Sequence, residues 1–511
     1  MAYSYPQTDL IMSRSKVLFW MVFLLLTHSL CYGQDQNGRY NFDFSLGEVI
    51  SLAHEQSPDA LVAMHNFRAS YWQYRSFKAK LLPSLSLSGT IGNYNRSIID
   101  LQNSETGEIR YITNDNMRNR LSLSIDQSIA LTGGILSINT DLSRIDQYAP
   151  QSNTLYSSQP FNVTYIQPLL GYNSLKWEKK ISPQEYEQAK RTYLETMEDI
   201  TLRATQYYFD MLLAQQRLEL AKKNYANTEE MYRITEERFK IGSVTQSDLL
   251  QLELRLLNDE LSISTEQMTL DYAMFSLRSF LGYNDVVVIS LIAPEGVPDL
   301  TLDYDEVLRH TYDNSAFSLS QDLLILSAER SVAQARANRG ISLTFNAQFG
   351  LTQQGGTFSD SYRHPMDKEI ISLGVRLPII DWGQGKGRVK MAMSYEEVVR
   401  AQVEQAHIRQ RQNILMNVTE FNNQKFQCAR AAKADTVAQE RYRVTLDRFA
   451  NGTLGVIELN TAQSEKDDAV IRYISELRKF WTAYYTIRKQ SLYDYITNTN
   501  ISAEFDRIID N

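Results

Sequence analysis

Two acidic residues hold matching places in this chain: Asp248 stands six residues after Gly242, and Glu458 six after Gly452. Where several chains converge, such carboxylates can ring a constriction and draw cations into it. Taken singly, each is an acid near a helix N-terminus, worth about 0.3–1 kcal/mol there. A second pattern, Gly383-Gln384-Gly385-Lys386-Gly387-Arg388, resembles a phosphate-cradling loop, but the GxxxxGK[ST] spacing is not met. It falls where Gly171-Tyr172-Asn173 falls in an earlier copy, which makes it a strand-to-helix turn. His54, His65, His310, His364 and His407 lack the spacing of metal ligands. No paired catalytic constellation shows itself. The expectation is a protein without enzymatic activity, cofactor or metal.

These residues are positioned by one long stretch and its repeat. The first copy runs from Pro168 to Arg238-Phe239-Lys240-Ile241-Gly242, the second from Pro378 to Arg448-Phe449-Ala450-Asn451-Gly452, at one offset of 210 residues. From Tyr186 to Tyr225, Ala189, Tyr193, Met197, Ile200, Ala204, Tyr207, Met211, Ala214, Leu218 and Ala221 keep a three-four spacing. A mean step of about 3.5 residues is the period of a left-handed coiled coil. No glycine or proline falls in 184–241 or 388–451. That predicts helices of about 58 and 64 residues, roughly 87 and 96 Å long at 1.5 Å per residue. Returning helices are expected over 244–281 and 456–493. Upstream, Leu46-Gly47-Glu48-Val49 opens a helix expected to pass Ser57-Pro58 and continue to Leu82. A short strand is expected at 286–292, and a second half opens at Tyr304-Asp305-Glu306-Val307. Helices over 59–81 and 316–339 plus the returning ones match the long helices in length, so two short helices can stack along each long one.

Six runs alternate greasy and wet residues, the mark of strands with one apolar face. Leu85, Leu87 and Ile91 alternate with serines, and Leu121, Leu123 and Ile125 with Arg120, Ser122, Ser124 and Asp126. Leu136, Ile138 and Leu142 follow, then Phe161, Val163, Tyr165 and Leu169. The second half adds Leu343, Phe345, Ala347, Phe349 and Leu351, then Ile371, Leu373, Val375, Leu377 and Ile379. Strands of about 9–11 residues suit a bilayer. A tight Thr132-Gly133-Gly134 turn at one end and polar loops (about 95–117 and 146–159) at the other fit an outer-membrane barrel. Tyr94, Tyr111, Tyr148, Tyr156, Tyr165 and Tyr362 supply an interfacial girdle. Matching Glu48-Val49 with Glu306-Val307 gives an offset of 258, so the first half holds 48 extra residues in its strand region, assigned to an extra hairpin and longer loops. Six strands cannot close a barrel, and an open edge in lipid leaves unpaired backbone groups costing several kcal/mol each. Oligomerisation follows if these strands enter a membrane.

Composition excludes other classes. With 52 Lys+Arg against 60 Asp+Glu and no basic block, nucleic acid is not an expected partner. A hydrophobic content of 43% with 30 tyrosines excludes a disordered chain. Arg14 and Lys16 before the apolar run 17–26, with Cys31-Tyr32-Gly33 ahead of Gln34, read as an export signal over 1–33. That leaves Cys428 as the one remaining thiol, placed mid-helix for packing.

The doubled Arg-Phe-x-x-Gly turns, Leu46-Gly47-Glu48-Val49, Leu82-Pro83-Ser84-Leu85 and Leu377-Pro378-Ile379 resemble the TolC family of outer-membrane efflux and secretion channels. The resemblance spans about 44–495. It implies an α+β membrane protein: barrel strands in the outer membrane, a long periplasmic α-helical coiled-coil barrel, a two-fold internal repeat and a homotrimer in outer-membrane lipid. Lead-in and upward helix (34–83), barrel strands (84–170) and a helical hairpin (171–281) would be followed by an equatorial connector and upward helix (282–340). A barrel hairpin (341–380), a second helical hairpin (381–495) and a tail (496–511) complete the chain. By the same resemblance, Arg238, Phe239, Gly242, Ser243, Arg448, Phe449, Gly452 and Thr453 are tips that engage a periplasmic adaptor linked to an inner-membrane transporter. Asp248 and Glu458 would line the periplasmic aperture. Leu454 stands where the family's best-known member has a basic residue that helps lock the mouth. A soluble periplasmic coiled-coil scaffold accounts for the helices but not for six half-greasy strands, and a secreted enzyme lacks a site.

Overall fold

The computed structural model describes residues 40–102, 107, 109–283, 287–451 and 453–510. The expected export signal and Gly452 lie outside them. In chain order the elements are β1 (Tyr40–Phe44), α1 (Leu46–Gln56), α2 (Pro58–Lys80), β2 (Ser84–Gln102), β3 (Ile109–Ile129), β4 (Gly134–Ala149) and β5 (Asn153–Leu170). Then come α3 (Ser174–Lys240), α4 (Gln246–Leu281), β6 (Val287–Leu291), α5 (Tyr304–Asn314), α6 (Ala316–Arg339), β7 (Ser342–Gly355), α7 (Asp360–Arg363) and β8 (Met366–Arg376). The chain finishes with α8 (Gln384–Ala450), α9 (Val456–Ser491), β9 (Tyr493–Asp494), β10 (Thr499–Asn500) and α10 (Phe505–Asp510).

Several boundaries differ from the sequence expectations, each for a local reason. The first helix does not pass Ser57-Pro58. Ser57 is extended (φ −64°, ψ 143°), and its hydroxyl accepts from the Ala60 N–H at 3.1 Å, so one helix ends and another starts with proline in its first turn. Ser315, at the 258-residue offset, is likewise extended between α5 and α6 (φ −74°, ψ 163°), its hydroxyl accepting from the Phe317 N–H at 3.3 Å. The long helices begin earlier than their breakers suggested. Both α3 and α8 have 67 residues, the first containing Pro183 and the second Gly385 and Gly387. Proline in a helix interior costs about 3 kcal/mol, which lateral packing along the rest of such a helix can exceed. The returning α4 and α9 have 36 residues each. The polar lead-in ends in an unexpected strand: β1 pairs in parallel with β6, Phe42 opposite Ile289 and Phe44 opposite Leu291.

Two compact units make up the chain. The first comprises described residues 40–61, 199–300 and 421–485. Its core holds Tyr208, Phe209, Leu212, Ile289, Phe421, Phe480 and Tyr484, with the Phe421 and Phe480 rings 5.0 Å apart. The heptad positions Ile200, Ala204, Met211, Ala214, Leu218 and Ala221 are buried as their spacing predicts. Tyr208 is buried in place of Tyr207, because its hydroxyl donates to the Ile292 carbonyl beside β6. Cys428 is also in this core; its thiol donates to the Glu476 carbonyl at 3.1 Å, and burial pushes its pKa up to about 11.

The second unit comprises 62–198, 301–420 and 486–510. It contains one antiparallel sheet in the order β2-β3-β4-β5-β7-β8, so six strands are present with β2 and β8 at the edges. The register sets greasy rows across the sheet: Leu87 opposite Leu123, Ile125 opposite Ile138, Val163 opposite Phe349, and Phe345 opposite Leu373. Leu85, Leu87, Leu123, Phe349 and Leu373 are exposed in the single chain. The wet face is hydrogen-bonded to itself: Arg120 donates to Asp141 at 2.8 Å, and Asp126 accepts from Ser124 at 2.9 Å. Instead of long loops, the strands extend; β2 has 19 residues, β3 21, β4 16 and β5 18. The expected length of nine to eleven is met only by β8, with 11. Beyond Leu142 the greasy row turns polar, with Arg144 bonded to Asp146 at 2.9 Å and Arg96 3.9 Å from Asp115. Tyr94 and Tyr156 lie on this polar stretch, paired with Met117 and Arg144.

Elsewhere in this unit, Arg488 holds the buried Glu198 through two bonds of 2.8 Å and reaches Asp494 at 3.2 Å. Burial raises the Glu198 pKa against the pull of that guanidinium. The Gly383–Arg388 pattern is a helix start: Asp381 accepts from the N–H groups of Gly383 (2.9 Å) and Gly385 (2.8 Å), which lowers its pKa.

Candidate functional site: the turns of the long helical hairpins

Each long helix must be stopped and reversed, and the first unit does this twice. At the end of α3, Gly242 takes the left-handed conformation (φ 74°). Its N–H donates to the Phe239 carbonyl at 2.9 Å, and the Ser243 N–H donates to the Arg238 carbonyl at 3.0 Å. This bond pair is a Schellman closure, which satisfies carbonyls that the helix end leaves open. A side chain at Gly242 would cost about 1–2 kcal/mol. The Ser243 hydroxyl adds a bond to Arg238 O at 3.0 Å. The second turn repeats the lock: the Thr453 N–H and hydroxyl reach the Arg448 carbonyl at 3.0 and 2.9 Å.

The returning helices differ at their caps. Before α4, the Thr245 hydroxyl accepts from the Asp248 N–H at 3.2 Å. Asp248 Oδ2 accepts from the Thr245 N–H at 3.1 Å and from its hydroxyl at 2.7 Å. This is a reciprocal capping box. At the equivalent place before α9 stands Gly455, which has no hydroxyl to offer. Glu458 is exposed and has no hydrogen bond or ion pair among the described residues. Thus Asp248 is bonded into its cap, while the exposed Glu458 lays its carboxylate back over Gly455 with no hydroxyl there to hold it.

The turns are also joined to each other. Arg238 Nη2 donates to the Ala450 carbonyl at 2.7 Å, and its guanidinium lies 5.9 Å from the centre of the Phe449 ring. Phe449, Val456 and Leu459 bury themselves with Met231 and Leu252, flanked by Tyr232, Tyr442 and Leu446. Phe449 is 5% exposed, whereas its counterpart Phe239 is 40% exposed. Phe239, Ile241, Ser243, Arg448 and Thr453 therefore face outward, and Arg238 and Phe449 bind turn to turn. Sequence reasoning missed this division. Thr245-x-x-Asp248 was legible as a capping signature, but the Arg238–Ala450 bond has no local signal.

A sheet with one greasy face and two 67-residue helices are elements this chain shares with solved outer-membrane channels. The sequence profile of the outer membrane efflux protein family matches residues 128–283. The fold is similar to that of the Campylobacter jejuni CmeC outer membrane channel (TM-score 0.62, 16% identity, 91% of this chain and 88% of that one). It is similar also to the Vibrio cholerae outer membrane protein VceC (TM-score 0.61, 13% identity, 89% and 97%). In sequence, the chain is 22% identical over 345 residues to the proteases secretion protein PrtF of Dickeya chrysanthemi, covering 64% of this chain and 71% of that one. Residues 128–283 thus carry the profile of a family of transport channels, not of enzymes, within a fold shared with solved outer-membrane channels.

Proposed function

We propose that three copies assemble into the outer-membrane conduit of a tripartite efflux or type I secretion system. The observation that carries this is the sheet's two open edges. Among the described residues neither β2 nor β8 has an outer partner, and unpaired backbone in hydrocarbon costs several kcal/mol per group. Three copies, pairing β8 of one with β2 of the next, give a barrel of eighteen strands, an even number like those of bacterial outer-membrane barrels. A second unpartnered surface agrees: Leu250, Leu254, Leu257, Leu261, Met268, Tyr272 and Phe275 form an exposed stripe along α4 at helical spacing. A soluble periplasmic scaffold would not need the greasy face.

In this reading the segments 84–170 and 341–380 form the barrel, and 171–281 and 381–495 form the helical hairpins. Phe239, Ser243, Arg448 and Thr453, with the turn glycines Gly242 and Gly452, dock a periplasmic adaptor that connects to an inner-membrane transporter. Asp248 and Glu458 line the periplasmic aperture, Glu458 with the carboxylate freer to turn toward a passing ion. Mass measurement of the detergent-purified protein tests the assembly. Three chains per particle, with mainly helical circular dichroism, is the expected result; a stable monomer would sink the proposal.

A further inference from the structure

We propose that the groove beside the end of α2 binds an anionic phospholipid of the periplasmic leaflet. The inference rests on the outer-membrane seating of the sheet. Trp72, Arg75 and Ala79 recur at steps of three and four, which places them along one side of the helix end, and Leu82 follows just past it. Trp72, Arg75, Lys78, Leu81 and Leu82 line an open groove of about 690 Å³. Three residues after Leu82, Leu85 starts the greasy face of β2, so the groove's apolar end adjoins the row that meets lipid. The helix end is fixed to the sheet by Gln127, which donates to the Leu81 carbonyl at 3.0 Å.

The charges single out the ligand. Residues 60–99 contain five Lys/Arg and no Asp/Glu, although the whole chain carries a net charge of −8. Lys80 is neutralised by Glu178 at 2.8 Å. Arg75 and Lys78 are exposed, and neither has a carboxylate partner among the described residues. The Lys78 ammonium sits 4.7 Å from the centre of the Tyr74 ring, which holds it near the groove without cancelling its charge. Trp72 packs edge-on against Tyr71 (ring centres 5.2 Å apart) and remains 60% exposed. An indole at headgroup depth, two uncompensated cations for a phosphate, and leucines for an acyl chain together match one phospholipid. The cation pair favours an anionic headgroup over a zwitterionic one, whose ammonium it repels, by roughly tenfold in association. Its source is the bilayer, because the leucine end offers nothing to free phosphate.

The test is fluorescence quenching in proteoliposomes, with Trp20, Trp177, Trp382 and Trp481 replaced by Phe so that Trp72 reports alone. Dibrominated phosphatidylglycerol should quench Trp72 more strongly than dibrominated phosphatidylethanolamine at equal mole fraction, and added inorganic phosphate should not change this. Arg75→Gln with Lys78→Gln should remove the difference. Equal quenching by both lipids overturns the anionic site; no quenching by either means that water or a second copy covers the groove, and overturns it too. A parallel Leu87→Trp, Trp72→Phe variant reports the greasy belt. If that tryptophan is quenched while Trp72 is not, the lipid site fails and the membrane seating stands; if neither is quenched, both fall.

Discussion

The two hairpin turns share one closing bond and divide the labour of their side chains. Each closes its long helix with a bond from the residue after the glycine position to an arginine carbonyl, at 3.0 Å in both. Around that common lock, Phe239 stays in water while Phe449 becomes core, and Asp248 is tied into its cap while Glu458 is not. Two turns with matching residues thus differ in use, one serving as the anchor and the other as the exposed edge. The lesson is that matching positions in a repeat predict backbone geometry better than they predict side-chain roles.

The largest expected contrast is between the phenylalanines. Phe449→Ala empties a buried site and should destabilise the hairpin pair by about 3–5 kcal/mol, read as loss of protease resistance near the turns. Phe239→Ala should change stability by less than about 0.5 kcal/mol and instead weaken capture by an adaptor. Equal losses from both would erase the distinction between anchor and edge. Gly242→Val forces a β-branched residue into the left-handed region and should cost about 1–2 kcal/mol. Trimers should still form in detergent while export fails; normal export would count against a docking role for the turn.

The caps give a smaller and sharper contrast. Thr245→Ala should cost about 1 kcal/mol by removing the capping hydroxyl, while Gly455→Thr should gain a few tenths, about the difference between glycine and threonine caps. A Cβ at residue 455 sits 3.0 Å from Glu458 Oε2, the far end of a side chain that can turn to accept from the new hydroxyl. Chemical denaturation of the paired variants measures both signs. Smallest in free energy is the effect on ions. Glu458→Gln should weaken cation selectivity and multivalent-cation block in single-channel recordings more than Asp248→Asn does. Unchanged selectivity in the double variant would return both acids to helix capping alone.

Much of this was legible because it is periodic. Heptads foretold Ile200, Ala204, Met211 and Leu218 as core, and alternation foretold all six strands of the sheet and their greasy rows. Element ends were less legible. Ser57-Pro58 reads equally as a helix interior with a tolerated proline or as a cap followed by a first-turn proline, and only the Ala60 N–H on the Ser57 hydroxyl decides it. Strand length was hidden for another reason: past Leu142 the greasy row turns to Arg144 and Asp146 while Ile145 falls on the wet face, so the alternation breaks although the ladder continues to Ala149. In the turns, Arg238 reaches a carbonyl 212 residues away, a contact that no local pattern encodes.

In the trimer proposed above, strand inequality would have a consequence for the channel. β2 runs for 19 residues from its helix end, but β8 offers only 11 for pairing. Where β8 of one copy meets β2 of the next, the seam can be stitched only along its membrane-embedded part. Above it, the free edge of β2 opens onto water, which hydrates its N–H and C=O groups without penalty. Each seam would end in an unsealed notch at the cell surface, where an extended peptide could add itself as a further strand.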